Sequence, residues 1–358
     1  GCGETPYMKL MTQLFGERMY IANATGCAQA MFLSVPSIPM VKDSAGHGPA
    51  LSNSLFENNA EYSLGMCLSV DQQRNQVKTH AKAALDTTSD AALKAALESW
   101  LQDGDDGDKT RAVSDALIAA LEKAEPTEEG AFVLQNKEYL TKKSVWAFGG
   151  DGWAYDIGFG GIDHVLAQNR DINMLVMDTE VYSNTGGQSS KATPTAAVAK
   201  FAAGGKEVKK KDLGAIAMSY GYIYVAQVAM GYDQAQTLKA IREAESYPGP
   251  AIVIAYCPCL EHGIKAGMSC TQEEMKKAVE CGYWHLYRYD PRRIAEGKNP
   301  FQLDSPAPDS GKMMDYLKGE NRYASLQINF PDRAQRLYEK TVQDAKDRYA
   351  KYRKMAED

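Results

Sequence analysis

The sequence predicts an α/β fold with a mostly parallel sheet flanked by helices, plus an inserted acidic helical hairpin and a C-terminal extension. Apolar runs rich in β-branched and aromatic residues, typical of buried strands, occur at 144–148, 173–177, 222–226 and 251–255. Helical stretches alternate with these runs, and such alternation predicts neighbouring parallel strands. A shift to Ala, Lys, Glu, Asp and Leu over residues 68–143 predicts the insert.

Composition and charge exclude several classes of protein. The chain has 358 residues, 44% of them apolar and 24% charged, which is typical of a soluble globular protein. A formal charge of -6 does not favour a nucleic-acid partner, and no apolar run approaches the roughly 20 residues that span a bilayer. The chain begins Gly-Cys-Gly-Glu, so we expect a fragment, a processed product or a chain whose start is not included.

The seven cysteines are odd in number and irregularly spaced. A chain of this size does not need disulfides to fold, so we expect free thiols in a reducing compartment. That compartment is the cytoplasm, or a reducing organelle if the source is an anaerobic eukaryote.

The first 143 residues contain one strand and the insert. Residues 19–22 have strand character and lead into a polar turn at 23–27. Helical periodicity at 91–97 and 116–121 predicts the two helices of the hairpin, separated by an Asp/Gly-rich segment at 103–108. That segment lacks the spacing and terminal Glu of an EF-hand, so we do not expect it to bind Ca²⁺.

From residue 144 the pattern is that of alternating strands and helices. The first two strands and the helix between them form a βαβ unit with a right-handed crossover. Asp233 is the expected N-cap of a later helix, which ends at Tyr-Pro-Gly-Pro. A charged amphipathic helix at about 331–356 closes the chain; its charges indicate a solvated face, or alternatively an arm that wraps a partner.

These patterns divide the chain into three parts. We expect residues 1–67 and 144–290 to form one domain, residues 68–143 to be the helical insert, and residues 291–358 to be the C-terminal extension.

Polar segments follow the first two strands of the βαβ unit. Gly150-Asp151-Gly152 ends the first, and residues 178–187, which include Asn184, end the second. Ligands bind at this edge of open α/β sheets, and glycine-rich turns there offer free N–H groups to phosphate. Mg²⁺ joins a diphosphate to a carboxylate because it prefers hard oxygen ligands. Gly-Asp-Gly followed about 30 residues later by Asn resembles the thiamine diphosphate motif, the alternative being two unconnected turns.

The surrounding residues resemble the C-terminal thiamine diphosphate and [4Fe–4S] domain of pyruvate:ferredoxin (flavodoxin) oxidoreductases. The resemblance extends from the opening Cys-Gly-Glu-Thr-Pro-Tyr to about residue 305 and is loosest in the insert. The motifs that carry it lie at 150–158, 177–188, 189–194 and 211–214.

The resemblance implies thiamine diphosphate and Mg²⁺ as cofactors. It implies Mg²⁺ ligands at the Asp151 carboxylate, the Thr179 side chain and the Val181 carbonyl, and it places Asn184 as a catalytic residue near the thiazolium ring and the 2-oxoacid. The residues implied to contact thiamine diphosphate are Thr25, Gly26, Cys27, Gly150, Asp151, Gly152, Thr179 and Asn184.

A [4Fe–4S] cluster is also implied. Cys2, Cys27 and Cys259 match three of its ligands, and the fourth is expected from sequence outside this chain, since a cubane normally takes four thiolates. Cys257 replaces what is usually a Ser, so its role is open. The three remaining cysteines are assigned to packing: Cys67, Cys270 and Cys281.

The implied reaction is oxidative decarboxylation of pyruvate with CoA to acetyl-CoA and CO₂, with electrons passed singly through iron–sulfur clusters to ferredoxin or flavodoxin. The Glu that activates the aminopyrimidine belongs to an N-terminal pyrimidine-binding domain in this family. We therefore expect this chain to be inactive alone and the full enzyme to be a homodimer. Alternatives are another 2-oxoacid substrate, a pyruvate:NADP oxidoreductase with a fused flavin module, a vestigial cofactor-binding domain, and a non-redox decarboxylase, which the three cysteines disfavour.

Overall fold

A single eight-stranded sheet organises the molecule in the computed structural model, which describes residues 2–33 and 40–357. The strand order is β2-β1-β3-β4-β6-β5-β7-β8; the first six strands pair in parallel and the last two pair antiparallel. The predicted fold class is confirmed. The strands are β1 (Met19–Ala24), β2 (Ala50–Ser54), β3 (Ser144–Gly149), β4 (Asn173–Asp178), β5 (Tyr224–Val228), β6 (Ala251–Tyr256), β7 (Tyr287–Tyr289) and β8 (Phe301–Leu303).

Helices cover both faces of this sheet, as the burial of its central strands requires. Every residue of β3, β4 and β6 is buried, which explains their continuous apolar sequences. The helices are α1 (Glu4–Phe15), α2 (Cys27–Leu33), α3 (Asn59–Thr87), α4 (Ala91–Asp103), α5 (Thr110–Leu121), α6 (Glu128–Gln135), α7 (Asp151–Ala154), α8 (Phe159–Ala167), α9 (Leu213–Met218), α10 (Gln234–Ser246), α11 (Thr271–Glu280), α12 (Arg292–Ala295), α13 (Met313–Lys318), α14 (Asn321–Asn329) and α15 (Pro331–Glu357).

The parallel register brings the carboxyl ends of neighbouring strands to one edge. Ala22 pairs with Ala147, Phe148 with Leu175, and Asp178 at the end of β4 pairs with Tyr256 at the end of β6. The residues that follow β1, β3, β4 and β6 therefore meet at the same edge, where a ligand site is expected.

The segment between β2 and β3 contains four helices. The two predicted helices correspond to α4 and α5, and α3 and α6 lie beside them. Val77 and Ala81 of α3 pack with Trp100 of α4 and Leu117 of α5 in a second apolar cluster, while Cys67 of α3 belongs to the main core. One continuous helix thus contributes to both clusters.

Basic side chains and backbone groups satisfy the acidic segment between α4 and α5. Asp105 accepts hydrogen bonds from Arg74 and Lys78, and Asp106 accepts one from the Asp108 N–H. These contacts tie the segment to α3 and to its own backbone.

The last helix, α15, matches the predicted amphipathic helix. Its Leu337, Tyr338 and Tyr352 are buried in the main core, and Arg348 donates a hydrogen bond to the Tyr283 carbonyl. Its apolar face therefore packs on this chain. Among the described residues, no helix combines the length and apolarity needed to cross a bilayer.

Candidate functional site

The turn after β3 directs Asp151 toward the end of β4. Gly150 precedes α7, and the Asp151 side chain is buried, with a residue exposure of 2%. Gly152 packs against the ring of Tyr182. A Cβ at position 152 would lie only 2.5 Å from Tyr182 Cε1. Only glycine permits this close approach between the two turns.

Three oxygen atoms from these turns lie close together, with Thr179 Oγ1 within hydrogen-bonding distance of the other two. Asp151 Oδ2 is 2.5 Å from Thr179 Oγ1, which is 3.1 Å from the Val181 carbonyl oxygen. The N–H groups of Thr179 and Glu180 donate to the two Asp151 oxygens at 3.1 and 3.2 Å and orient the carboxylate. The structure therefore brings together the three groups expected to hold Mg²⁺.

The electrostatics of Asp151 suit a cation. Burial, reinforced by the charge of Asp178, raises the pKa of Asp151 well above its usual range. The positive charge of Lys210 lowers the pKa of Asp151, but Lys210 forms its ion pairs with Asp178 and Glu180. A buried carboxylate beside a hydroxyl and a carbonyl oxygen is a donor set that fits Mg²⁺.

A buried charge network supports the loop from beneath. Lys210 Nζ lies 2.7 Å from both Asp178 oxygens and 3.1 Å from Glu180 Oε1, and Arg322 lies 2.9 Å from Glu180 Oε2. Burial alone would raise the pKa of Glu180, but Lys210 and Arg322 outweigh it and hold that pKa below its usual range. Glu180 has a φ of 61°, a conformation that non-glycine residues rarely adopt, so its anchored side chain fixes the backbone between Thr179 and Val181.

One cavity at this edge is lined by most of the predicted cofactor-binding residues. Thr179 is not among the lining residues; it is buried, with its hydroxyl oxygen 2.5 Å from Asp151 Oδ2. Gly152 and Asn184 line the same cavity, as a shared site requires. The other predicted residues that line it are Thr25, Gly26, Cys27, Gly150, Asp151 and Val181.

Contacts across the cavity link the turn after β1 with the loop after β4. Cys27 Sγ accepts a hydrogen bond from Ser183 Oγ at 3.2 Å and lies 4.0 Å from Asn184 Oδ1. The Thr25 backbone N–H and hydroxyl both donate to the Ser54 carbonyl, so Thr25 is held by the end of β2.

Glu4 also lines the cavity, although sequence reasoning assigned it no role. It is 3% exposed, its Oε2 has no hydrogen-bond partner among the described residues, and burial raises its pKa to about 8. The available signal was a carboxylate at the start of α1, directly after the Cys-Gly pair of the motif. Nothing in the sequence distinguished it from a solvated first-turn Glu.

The predicted cluster cysteines come from segments that meet. The Gly3 N–H donates to the Pro258 carbonyl at 2.9 Å, and a Cβ on Gly3 would lie 2.5 Å from Pro258 N. This packing sets Cys2 beside the segment that carries Cys259. Burial, together with the neighbouring Cys27, Glu4 and Cys2, raises the pKa of Cys259 to about 12. A cation would be needed to hold such thiols as thiolates.

The two cysteines of Cys257-Pro258-Cys259 differ in the hydrogen bonds that their sulfur atoms form. Cys257 is buried and donates its thiol hydrogen to the Ala255 carbonyl at 3.3 Å, which requires a protonated thiol. Cys259 Sγ instead accepts from the backbone N–H groups of Glu261 and His262, an arrangement compatible with a thiolate. The three cysteines assigned to packing also donate to backbone carbonyls: Cys67, Cys270 and Cys281.

Comparison with known proteins agrees with this geometry at two levels. Residues 107–255 match the family model described as thiamine pyrophosphate enzyme, C-terminal TPP binding domain. This match supports the fold of a thiamine diphosphate-binding domain for the central part of the chain.

The relatives define the family more narrowly. The chain is 56% identical over 359 residues to a pyruvate-flavodoxin oxidoreductase of Klebsiella pneumoniae, covering 99% of this chain and 30% of the relative. It is 55% identical over 363 residues to a pyruvate:ferredoxin oxidoreductase of Moorella thermoacetica, covering 100% of this chain and 31% of the relative. The chain is thus similar over its whole length to pyruvate:ferredoxin (flavodoxin) oxidoreductases, and it spans about 30% of the length of these relatives.

Two further similarities are more distant. The mitochondrial pyruvate dehydrogenase [NADP(+)] of Euglena gracilis is 48% identical over 361 residues, covering 100% of this chain and 20% of the relative. A solved 2-oxoglutarate:ferredoxin oxidoreductase from Magnetococcus marinus has a TM-score of 0.42 and 15% identity, covering 73% of this chain and 63% of that one.

Proposed function

We propose that this chain supplies the diphosphate and magnesium half of a thiamine diphosphate site, together with three ligands of an adjacent [4Fe–4S] cluster. The observation that carries the proposal is the convergence of Asp151 Oδ2, Thr179 Oγ1 and the Val181 carbonyl beside a cavity that Cys27 and Asn184 also line. A vestigial site would not need to keep all these groups in one place.

In this proposal the metal loop provides fixed oxygen ligands. Asp151 contributes the charge that a divalent cation requires, and backbone N–H groups keep its oxygens in place. Lys210 and Arg322 form ion pairs with Asp178 and Glu180, whereas Asp151 forms none among the described residues. Diphosphate oxygens and water would complete the coordination of Mg²⁺.

The remaining cavity residues orient substrate and connect the two cofactors. When bound, thiamine diphosphate supplies the decarboxylation chemistry, and the protein positions and electrostatically tunes it. Asn184 lines the cavity with its Oδ1 4.0 Å from Cys27 Sγ, and we propose that it contacts the 2-oxoacid. Cys27 is thus a cavity residue and a proposed cluster ligand, so it stands where the two cofactors adjoin.

The activity proposed for the complete enzyme is oxidative decarboxylation of pyruvate with CoA, yielding acetyl-CoA and CO₂. In this proposal electrons would pass singly through iron–sulfur clusters to an acceptor protein. The names of the relatives from Klebsiella pneumoniae and Moorella thermoacetica favour flavodoxin or ferredoxin as that acceptor. The N-terminal pyrimidine-binding domain and the fourth cluster cysteine come from other parts of that enzyme, which forms a homodimer. The chain alone is inactive.

Substitution of Asp151 tests the metal site. Asp151→Asn in the complete enzyme keeps the shape of the side chain and removes its charge. Because a direct ligand is lost, Mg²⁺-dependent thiamine diphosphate affinity, measured by titration calorimetry, should fall by more than the roughly 100-fold seen for outer partners of a metal site. Asp163→Asn on α8, whose carboxylate accepts a hydrogen bond from Tyr220, is the control. Unchanged affinity in Asp151→Asn would refute the assignment.

One observation favours NADP⁺ as an alternative electron acceptor. The relative from Euglena gracilis, named an NADP(+)-dependent pyruvate dehydrogenase, aligns over the whole of this chain at 48% identity. In this alternative the same site serves an enzyme with a fused flavin module. Assays of the complete enzyme with ferredoxin, flavodoxin and NADP⁺ as separate acceptors distinguish the two.

A further inference from the structure

His262 lies between the cysteine turn after β6 and the metal loop after β4. Residues 260–262 form a single turn directly after Cys259, and the His262 side chain is fully buried. Its Nδ1 is 3.4 Å from the Cys259 N–H nitrogen, and its Nε2 is 2.7 Å from the Thr179 carbonyl oxygen.

The partners of the ring define its tautomer. A carbonyl oxygen can only accept a hydrogen bond, so Nε2 carries the proton and donates it to Thr179. Nδ1 is then free to accept from the backbone N–H of Cys259. One imidazole therefore satisfies a polar group on each of two turns that are 80 residues apart in the chain.

The surroundings leave the ring little freedom. Glu320 Oε1 lies 3.6 Å from Nδ1, and the ring of Tyr256 stacks against the imidazole with 6.5 Å between centroids. The next residue, Gly263, has a φ of 63°, and a Cβ there would lie 2.6 Å from Asn321 Cβ. The turn is thus locked against the start of α14.

We infer that His262 is a positioning residue that fixes the geometry of the Cys259 thiolate and of the Thr179 metal ligand at the same time. This inference rests on the proposed function. At one end, the turn that His262 closes directs the N–H groups of Glu261 and His262 to Cys259 Sγ, and hydrogen bonds to ligand sulfurs set the reduction potential of a cluster. At the other end, His262 anchors the carbonyl of the residue whose Oγ1 lies 2.5 Å from Asp151.

Two substitutions separate the two ends of the ring. In His262→Asn the side-chain oxygen can occupy the place of Nδ1, so the Cys259 contact is kept and the Thr179 contact is lost. In His262→Gln the longer amide reaches the place of Nε2, so the Thr179 contact is kept and the Cys259 contact is lost. His285→Asn replaces another buried histidine, which packs against Tyr349 and Tyr352, and serves as the control.

The experiment uses the complete enzyme and two readouts that do not depend on turnover. Thiamine diphosphate affinity in Mg²⁺ is measured by calorimetry, and the midpoint potential and electron paramagnetic resonance spectrum of the cluster are measured by redox titration. We expect His262→Asn to lose roughly tenfold or more in affinity, as outer partners of metal sites do. We expect His262→Gln to keep its affinity and shift the cluster to a lower potential, and His285→Asn to change neither.

The outcomes are distinguishable. If the wild-type enzyme binds thiamine diphosphate and holds the cluster, but both His262 variants match it in both readouts, the inference is wrong and the proposed function stands. Equal losses in both readouts for both variants would show a general packing role and also overturn the inference. If the wild-type enzyme holds neither cofactor, the proposed function fails and the inference fails with it.

Discussion

Replacement of Lys210 by Met tests whether the buried charge network supports the metal loop. The substitution keeps most of the side-chain volume but leaves Asp178 and Glu180 without the ammonium that lies 2.7 and 3.1 Å from them. At an effective dielectric constant of about 20 these distances correspond to roughly 6 and 5 kcal/mol of attraction, before the cost of burying the ammonium. Removing one partner of a buried pair costs about 3–5 kcal/mol net, so we expect the free energy of unfolding to fall by about 4 kcal/mol.

The assay is urea unfolding of the chain, followed by tryptophan fluorescence and circular dichroism. Lys209→Met is the matched control, because Lys209 is adjacent in sequence and exposed, and exposed substitutions usually change stability by less than about 0.5 kcal/mol. The deficit of Lys210→Met should be smaller at pH 5 than at pH 8, because loss of Lys210 leaves Arg322 as the main cation opposing burial at Glu180. The pKa of Glu180 therefore rises, and its protonation is easier at the lower pH. A Lys210→Met variant as stable as Lys209→Met at pH 8 would refute the reasoning.

Two further predictions concern sulfur and histidine. In the complete enzyme, Cys259→Ser should lower the iron content, measured by elemental analysis. Cys281→Ser should not, because the Cys281 thiol donates to a carbonyl within its own helix turn. Equal iron contents in the two variants would contradict the ligand assignment. Burial, and secondarily the charge of Arg348, lower the pKa of His285 to about 3. The unfolded chain therefore binds a proton below about pH 6.5 that the folded chain does not, so this stabilising contribution is complete above pH 6.5 and declines by about 1.4 kcal/mol per pH unit below it. Between pH 7 and pH 5, the free energy of unfolding measured in urea should fall by about 2 kcal/mol less in His285→Asn than in the wild type. Equal decreases in the two proteins would show that His285 does not titrate in this way.

The central sheet was predictable because its strands are buried on both faces and therefore carry continuous apolar runs. The strand expected at 222–226 lies two residues later, at Tyr224–Val228, since periodicity does not fix the end of a run of aromatic and β-branched residues. β2 was not predicted, because Ala-Leu-Ser-Asn-Ser is half polar and lies at the edge of the sheet. The short antiparallel strands β7 and β8 carry too few residues to show a period.

The candidate site shows the same division. The residues after β3 and β4 could be named from the sequence because parallel strands bring their carboxyl ends to one edge. Lys210, Arg322 and His262 could not, because each is a residue type common on surfaces and only the packing of distant segments buries it. Glu4 was missed for the same reason.

The helix that links the two apolar clusters restricts how this chain can vary in length. α3 has 29 residues and, at about 1.5 Å per residue, extends about 43 Å. Insertion of one residue between Cys67 and Val77 would turn everything beyond it by about 100°, so the faces of the two clusters could not both remain buried. The middle of α3 therefore keeps a fixed count of residues.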